Sequence, residues 1–199
     1  MLIDAGCRVN GYCSDVTRTS VKGNVEQTFR DLLIGMEVIE QELVSLLKPD
    51  MIYTEIHLTA LHKVGQLLID LGLCQGTADE LLESETSHLF MPHGVGHLLG
   101  LQVHDVGGLQ QDIRGTMKLP PAHSPALRNT RKLSERMVFT IEPGCYFIPQ
   151  LLEPERAKKR GRRINWKLVD KLYGYGGIRV EDNVLVTKDG VENLTRQFE

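Results

Sequence analysis

The sequence predicts an α+β domain with its helices packed on one face of a sheet. Three observations carry this: an N-terminal hairpin signal, two long helical stripes after it, and strand-like segments that resume near the C-terminus. Residues 2–7 and 12–19 read as two strands, with Asn10-Gly11 between them as the dipeptide that favours a tight hairpin turn. A loop of residues 8–11 then pairs Cys7 with Tyr12 and Asp4 with Asp15. A helix follows from Asn24, its expected N-cap. Val25, Phe29, Leu32, Met36, Ile39, Leu43 and Leu46 recur at alternating spacings of four and three, one apolar helical stripe. Lys48-Pro49-Asp50 stops it. A second helix is expected over 54–71, with Leu61, Val64, Leu68 and Leu71 on one face, and a short third over 78–83. Residues 88–130 are rich in Gly, His and Pro and carry no sustained period. A loop of that length in a compact domain is usually functional or disordered. A strand over 137–147 is interrupted by Glu142-Pro143-Gly144. A basic stretch occupies 156–163, and a final strand 178–187.

Composition excludes several classes. The chain has 199 residues, 41% hydrophobic and 25% charged, the balance of an ordinary globular domain rather than a disordered or collagen-like one. A net charge of -3 offers no positive field for nucleic acid. No apolar run approaches the ~20 residues that span a bilayer. The N-terminus does not read as a signal peptide. The four cysteines form no CxxC and read as reduced thiols, which predicts a cytoplasmic protein.

Several residues could carry chemistry. Opposed across the hairpin, Asp4 and Asp15 would repel unless a cation sits between them or one is protonated. Alone, the pair reads rather as two solvated carboxylates on the open face of a sheet, since a one-residue slip of register would separate them. Residues 91–97, Met-Pro-His-Gly-Val-Gly-His, are followed by Val103-His104-Asp105. This places His93, His97 and His104 within twelve residues on a glycine-rich backbone. Imidazoles so clustered suit metal ligation, proton transfer or oxyanion binding. His57, His62, His88 and His123 stand alone in the sequence and read as structural. Glu142 and Glu181 are acids among apolar strand residues, where burial is costly unless they are paired or bound to metal. Asp182 follows Glu181 and must face the other way. Arg128 and Arg131 could grip a carboxylate with a two-pronged hydrogen bond. The basic stretch reads as a solvated loop.

Taken together, the order Asp, Asp, His, Glu, Glu resembles the dinuclear "pita-bread" metallopeptidases, a family that includes methionine aminopeptidase, aminopeptidase P and Xaa-Pro dipeptidase (prolidase). The matching positions are Asp4 and Asp15, His97 in HGVGH, Glu142 in TIEPG and Glu181 in RVED. The stretches FMPHGVGHLLGLQVHDVGG, LRNTRKL, FTIEPGCYFI and YGYGGIRVEDNVLVT resemble the prolidase branch in its eukaryotic form. The resemblance implies hydrolysis of Xaa-Pro dipeptides by a hydroxide bridging two divalent ions. It implies metal ligation by Asp4, Asp15, His97, Glu142 and Glu181, with Asp15 and Glu181 shared by both ions. Mostly oxygen donors with one imidazole suit Mn²⁺, with Zn²⁺ or Co²⁺ as competitors. The same resemblance makes Glu142 the proton shuttle and lets His104 and His93 donate to the oxyanion or hold substrate. It places Arg128 on the proline carboxylate, makes Thr17 and Thr140 donors to ligand carboxylates, and sets Arg179 to hold Glu181.

Relatives of this kind carry an N-terminal domain and further catalytic-domain structure ahead of the position of Asp4. Residues 1–199 therefore read as the C-terminal part of a pita-bread catalytic domain, incomplete at its N-terminal side, and the full-length protein as a homodimer. The turn before TIEPG departs from the family's Pro-Gly and reads Ser134-Glu135-Arg136. Two other functions compete: an aminopeptidase P-type enzyme that cuts longer peptides, and an inactive truncated form that binds a partner.

Overall fold

The computed structural model describes residues 1–198. Strand β1 (Leu2–Ala5) pairs antiparallel with β4 (Val16–Thr19), and β2 (Arg8–Val9) with β3 (Tyr12–Cys13). Val9 faces Tyr12, so the loop is only Asn10-Gly11, with φ of 51° and 92°. Two successive positive φ values are what a two-residue type I′ turn needs. The shorter loop slides the register two residues from the expected one. Asp4 faces Thr17, not Asp15. A shift of two keeps both carboxylates on one face, now as diagonal neighbours.

Helix α1 (Gln27–Leu46) buries Phe29, Leu32, Met36, Ile39 and Leu43, the expected stripe. Its start differs from the expected one. Glu26, not Asn24, precedes the first turn, and no side chain caps it. The entry is fixed instead by tertiary contact. Glu26 N–H donates to the Tyr175 hydroxyl at 3.0 Å, and the Phe29 and Tyr175 rings stack at 4.6 Å. Helix α2 (Tyr53–Asp70) packs Leu61, Val64 and Leu68 into the same core. Helix α3 (Ala78–Glu83) falls where expected and opens with a reciprocal Thr77–Glu80 capping box. A short α4 (Thr86–Phe90) follows, which the loop-like composition had hidden.

Strands β5 (Val138–Ile141), β8 (Asp182–Val186) and β9 (Val191–Asn193) form one antiparallel sheet, and β6 (Gly144–Tyr146) pairs with β7 (Gly177–Arg179). The expected last strand is thus broken at Val180-Glu181, and β9 follows it through a turn at residues 187–190. Single bridges between Thr17 and Glu181 and between Leu98 and Phe139 join these ladders to the N-terminal hairpin and to the histidine loop. Phe139, Ile141, Ile178 and Val184 meet the helices in one core. The outer surface of the hairpin exposes Ile3, Val9 and Tyr12.

Between β6 and β7, residues 149–175 fold into α5 (Pro149–Leu152), α6 (Trp166–Leu172) and 3-10 turns. The basic stretch is only partly a solvated loop. Lys158 and Arg160 converge on buried Glu155, and Arg163 reaches Glu80 at 3.0 Å.

The altered turn before β5 has a conformational cost. Met137 N–H donates to the Ser134 carbonyl at 3.2 Å, and Arg136 sits at φ 71°. A side chain in the left-handed region costs ~1–2 kcal/mol, partly offset in glycine by its looser unfolded chain. Arg136→Gly is therefore expected to stabilise the fold by about 0.5–1 kcal/mol, read as a higher denaturation midpoint. An unchanged or lowered midpoint would show that the arginine gains more from its surroundings than its backbone loses.

Candidate metal centre

Asp4, Asp15, His97, Glu142 and Glu181 all line one cavity of about 400 Å³. They arrive from separate segments of the chain. Asp15 lies just before β4, where Asn183 of β8 clamps its backbone. The Asn183 side chain accepts from Asp15 N–H at 3.0 Å and donates to the Asp15 carbonyl. Glu181 sits in the break between β7 and β8 and accepts a hydrogen bond of 2.6 Å from the Thr17 hydroxyl. Asp182 turns to the opposite face, where Arg18, Asn193 and Arg196 hold it.

His97 and Glu142 are held together by the histidine loop lying along β5. Thr140 N–H donates to the His97 carbonyl at 2.9 Å, and Glu142 N–H to the Val95 carbonyl at 2.8 Å. Gly96 makes this approach feasible. A Cβ there would stand 2.0 Å from the Thr140 carbonyl oxygen and 2.3 Å from the Tyr53 hydroxyl. His97 Nδ1–H donates to the Leu98 carbonyl at 3.0 Å, which leaves Nε2 facing the acids. Nε2 is 3.4 Å from Glu142 Oε1, 3.5 Å from Asp15 Oδ2 and 4.0 Å from Glu181 Oε1. Thr140 Oγ1 accepts from His97 N–H at 3.1 Å and donates to Glu142 at 3.3 Å.

One donor atom from each of Asp15, His97 and Glu181 lies within 4.8 Å of the others, close enough to share an ion. Asp4 is outside this triad but hydrogen-bonds with its member Asp15. The Asp4 carboxylate is 47% exposed and pairs with the Arg179 guanidinium. Arg179 was expected to hold Glu181, and it does so by charge and through Thr17: its Nε is 3.7 Å from that carboxylate and donates at 3.1 Å to Thr17 Oγ1, which donates to Glu181 in turn.

Electrostatics expose what the acids lack. Burial, then the charge on Glu142, pushes Glu181 up to about 8. Burial pushes Glu142 up to about 7, against the lowering influence of His97 and Arg179. Burial lowers His97, but the bond to Asp15 and the surrounding acids outweigh it and favour the imidazolium. Burial also resists ionisation of Asp15, while hydrogen bonds from His97 and Asp4 hold it below the usual range. Four carboxylates and an imidazole crowded this way fit divalent cations, whose charge would let every acid ionise.

The expected substrate residues lie around the same cavity. The His104 ring stands edge-on to His97, with centroids 4.3 Å apart, and Arg128 is exposed at the rim. Arg131 does not line the cavity. Of the two parts expected for His93, donating to the oxyanion or holding substrate, its bonds in this structure leave no N–H free for the first. Its Nδ1–H donates to the Gly94 carbonyl at 2.7 Å, so Nε2 accepts from the Tyr146 hydroxyl at 2.9 Å. Burial keeps it neutral, pushed down to about 4. Tyr146, unmarked in the sequence, thus sits between His93 and Arg179, whose Nη1 donates to its oxygen at 3.2 Å. Its one sequence signal is its place four residues after Glu142.

Residues 1–188 match the family model for Metallopeptidase family M24. An Xaa-Pro dipeptidase from Aeromonas hydrophila is 48% identical over 196 residues, which is 98% of this chain and 44% of that protein. The chain therefore spans less than half the length of this bacterial relative. Among solved structures, an Escherichia coli aminopeptidase P variant superposes with a TM-score of 0.73 at 31% identity, over 98% of this chain and 38% of that one. A zinc-substituted Escherichia coli aminopeptidase P in complex with product gives 0.71 at 32% identity, over 98% and 38%. No helix among the described residues is long and apolar enough to cross a membrane.

Proposed function

The chain belongs to metallopeptidase family M24, and from that membership we propose that it is the C-terminal catalytic part of a cytoplasmic Xaa-Pro dipeptidase. The observation that carries the reading is the convergence of four acids and His97 on one cavity, with two of the acids pushed toward neutrality. Asp4, Asp15, His97, Glu142 and Glu181 would hold a dinuclear centre, with Asp15 and Glu181 shared. Mn²⁺ suits the mostly oxygen donor set. Two divalent cations held there would supply Lewis acidity and make a hydroxide nucleophile available near neutral pH.

The chain's own residues do the rest. Glu142 takes the proton of the attacking water and returns it to the leaving proline nitrogen. Thr140 and Thr17 fix the orientation of Glu142 and Glu181. His104 donates to the developing oxyanion. His93, whose two nitrogens are both engaged, contributes by aiming the Tyr146 hydroxyl into the cavity. Arg128 at the rim grips the proline carboxylate and so favours dipeptides. The full-length protein is read as a homodimer.

The solved relatives favour a second reading, an aminopeptidase P-type activity on longer peptides. Hydrolysis of Gly-Pro and of a tripeptide with proline second, each with and without Mn²⁺, separates the two. Mn²⁺-dependent turnover of Gly-Pro, with the tripeptide at least about tenfold slower, is expected. Faster tripeptide cleavage would favour the second reading, and folded protein inert toward both would mark a binding module.

A further inference from the structure

We propose that Arg18 and Asn183 form a reciprocal clamp across β4 and β8 that sets the spacing of Asp15 and Glu181, with Asp182 and Arg196 anchoring it from behind. The inference rests on the metal-centre reading, which gives both ions a share in Asp15 and Glu181. Carboxylate oxygens of the two already lie within 4.8 Å of one another. Neither acid is fixed by a regular ladder. Asp15 lies just before β4, and Glu181 lies in the break between β7 and β8. A single bridge, Thr17 with Glu181, joins their segments. In that bridge Glu181 N–H donates to the Thr17 carbonyl at 3.1 Å.

Side chains from the opposite segment make up the difference. Arg18 of β4 donates from Nη1 to the Glu181 carbonyl at 2.9 Å and to the Thr17 carbonyl at 3.0 Å. Asn183 of β8 accepts from Asp15 N–H at 3.0 Å and donates to the Asp15 carbonyl. The amide and the carbonyl of each shared acid are thus engaged by residues of the other segment.

Arg18 is itself fixed. Its Nη2 donates to Asp182 Oδ1 at 2.7 Å, and the Asp182 side chain is fully buried. Asp182 Oδ2 accepts from Asn193 Nδ2 at 2.7 Å and from Arg196 Nε at 2.6 Å. Arg196 also reaches Glu37 and Glu40 of α1. A run of charge-assisted bonds, which are short and strong, therefore leads from α1 to the Glu181 carbonyl. Glu181 faces the cavity and Asp182 the reverse side, so the anchor lies behind the site. Arg18, Asp182, Asn183 and Arg196 do not line the cavity, which makes them positioning residues. Ligand groups must be held within ~0.5 Å of their working geometry. Freeing either peptide would let its carboxylate drift beyond that.

Amide exchange by NMR in chelator, and Mn²⁺ affinity by calorimetry, test the clamp on the 199-residue chain. In Arg18→Met the Glu181 amide is expected to exchange about tenfold faster or more, and in Asn183→Ala the Asp15 amide. The Glu142 amide, which donates to the Val95 carbonyl, should keep its wild-type rate in both. Each variant should bind Mn²⁺ about 10–100-fold more weakly. Arg18→Lys keeps a donor near the Glu181 carbonyl and should lose less, and it carries the test if Arg18→Met does not fold. Leu68→Ala, a core change near the end of α2, should lower the melting temperature yet leave Mn²⁺ affinity unchanged. Wild-type exchange at Glu181 and Asp15 in the folded variants would overturn the proposal. So would equal acceleration at Glu142, wild-type Mn²⁺ affinity in both variants, or a matching loss of affinity in Leu68→Ala. A wild-type chain that bound no Mn²⁺ would instead sink the metal-centre reading, while exchange in chelator still decided the clamp.

Discussion

Glu142→Gln is expected to lower Mn²⁺-dependent Gly-Pro hydrolysis by about 10²–10⁴-fold, the usual contribution of a positioned acid–base group. The same change should stabilise the metal-free chain. Burial lifts Glu142 from 4.5 to about 7, so between those values the folded chain keeps a proton that the unfolded chain has released. Stability then falls as pH rises through that window and stays lowered above it. A glutamine has no charge to desolvate, and its carbonyl oxygen can still accept from Thr140. At pH 8 with chelator, the variant is expected to be more stable by about 1–3 kcal/mol. Melts at pH 5 and pH 8 read this directly. A variant whose stability fell with pH as steeply as wild type would remove Glu142 from the set of strained acids. Wild-type turnover rates in the variant would remove it from the chemistry.

Arg179→Met is expected to destabilise the metal-free chain strongly and the Mn²⁺-loaded chain much less. The guanidinium pairs with Asp4, donates to Thr17 and Tyr146, and lies 3.7 and 3.9 Å from Glu181 and Glu142. Unpairing a buried charge costs ~3–5 kcal/mol. Solvent access to Asp4 trims this to about 2 kcal/mol. Divalent cations supply positive charge to the same acids and should recover most of the loss. Denaturation midpoints with chelator and with Mn²⁺ check this. Equal losses in both conditions would mean that the ions and Arg179 do not serve the same carboxylates.

The site was more legible in the sequence than its geometry. Asp4, Asp15, His97, Glu142 and Glu181 were marked as a set by their resemblance to the ligand order of the pita-bread metallopeptidases, whereas residue types alone left Asp4 and Asp15 reading as solvated carboxylates and singled out only the histidine cluster. The helices were legible for a local reason. A stripe at three-and-four spacing, as from Phe29 to Leu43, has only one way to be buried. What escaped depended on contacts between distant segments. The hairpin register turned on whether the loop had four residues or two, and Asn10-Gly11 at positive φ made it two. The start of α1 was set by Tyr175, about 150 residues away. Tyr146 became part of the cavity only because His93 and Arg179 flank it. His57 and His88 read as isolated because their meeting point, the Ser124 hydroxyl, is chosen by the packing of a loop on two helices.

The bond between Thr17 and Glu181 spans 164 positions. During synthesis, Asp15 and Thr17 emerge long before the strand that completes their cavity. At roughly 5–20 residues per second, the wait is about ten to thirty seconds. The nascent hairpin must spend that interval with its acids uncompensated and Asn183 not yet made to clamp it. The centre is thus among the last features the ribosome permits, and any chain released early would carry its ligands on an unfinished wall.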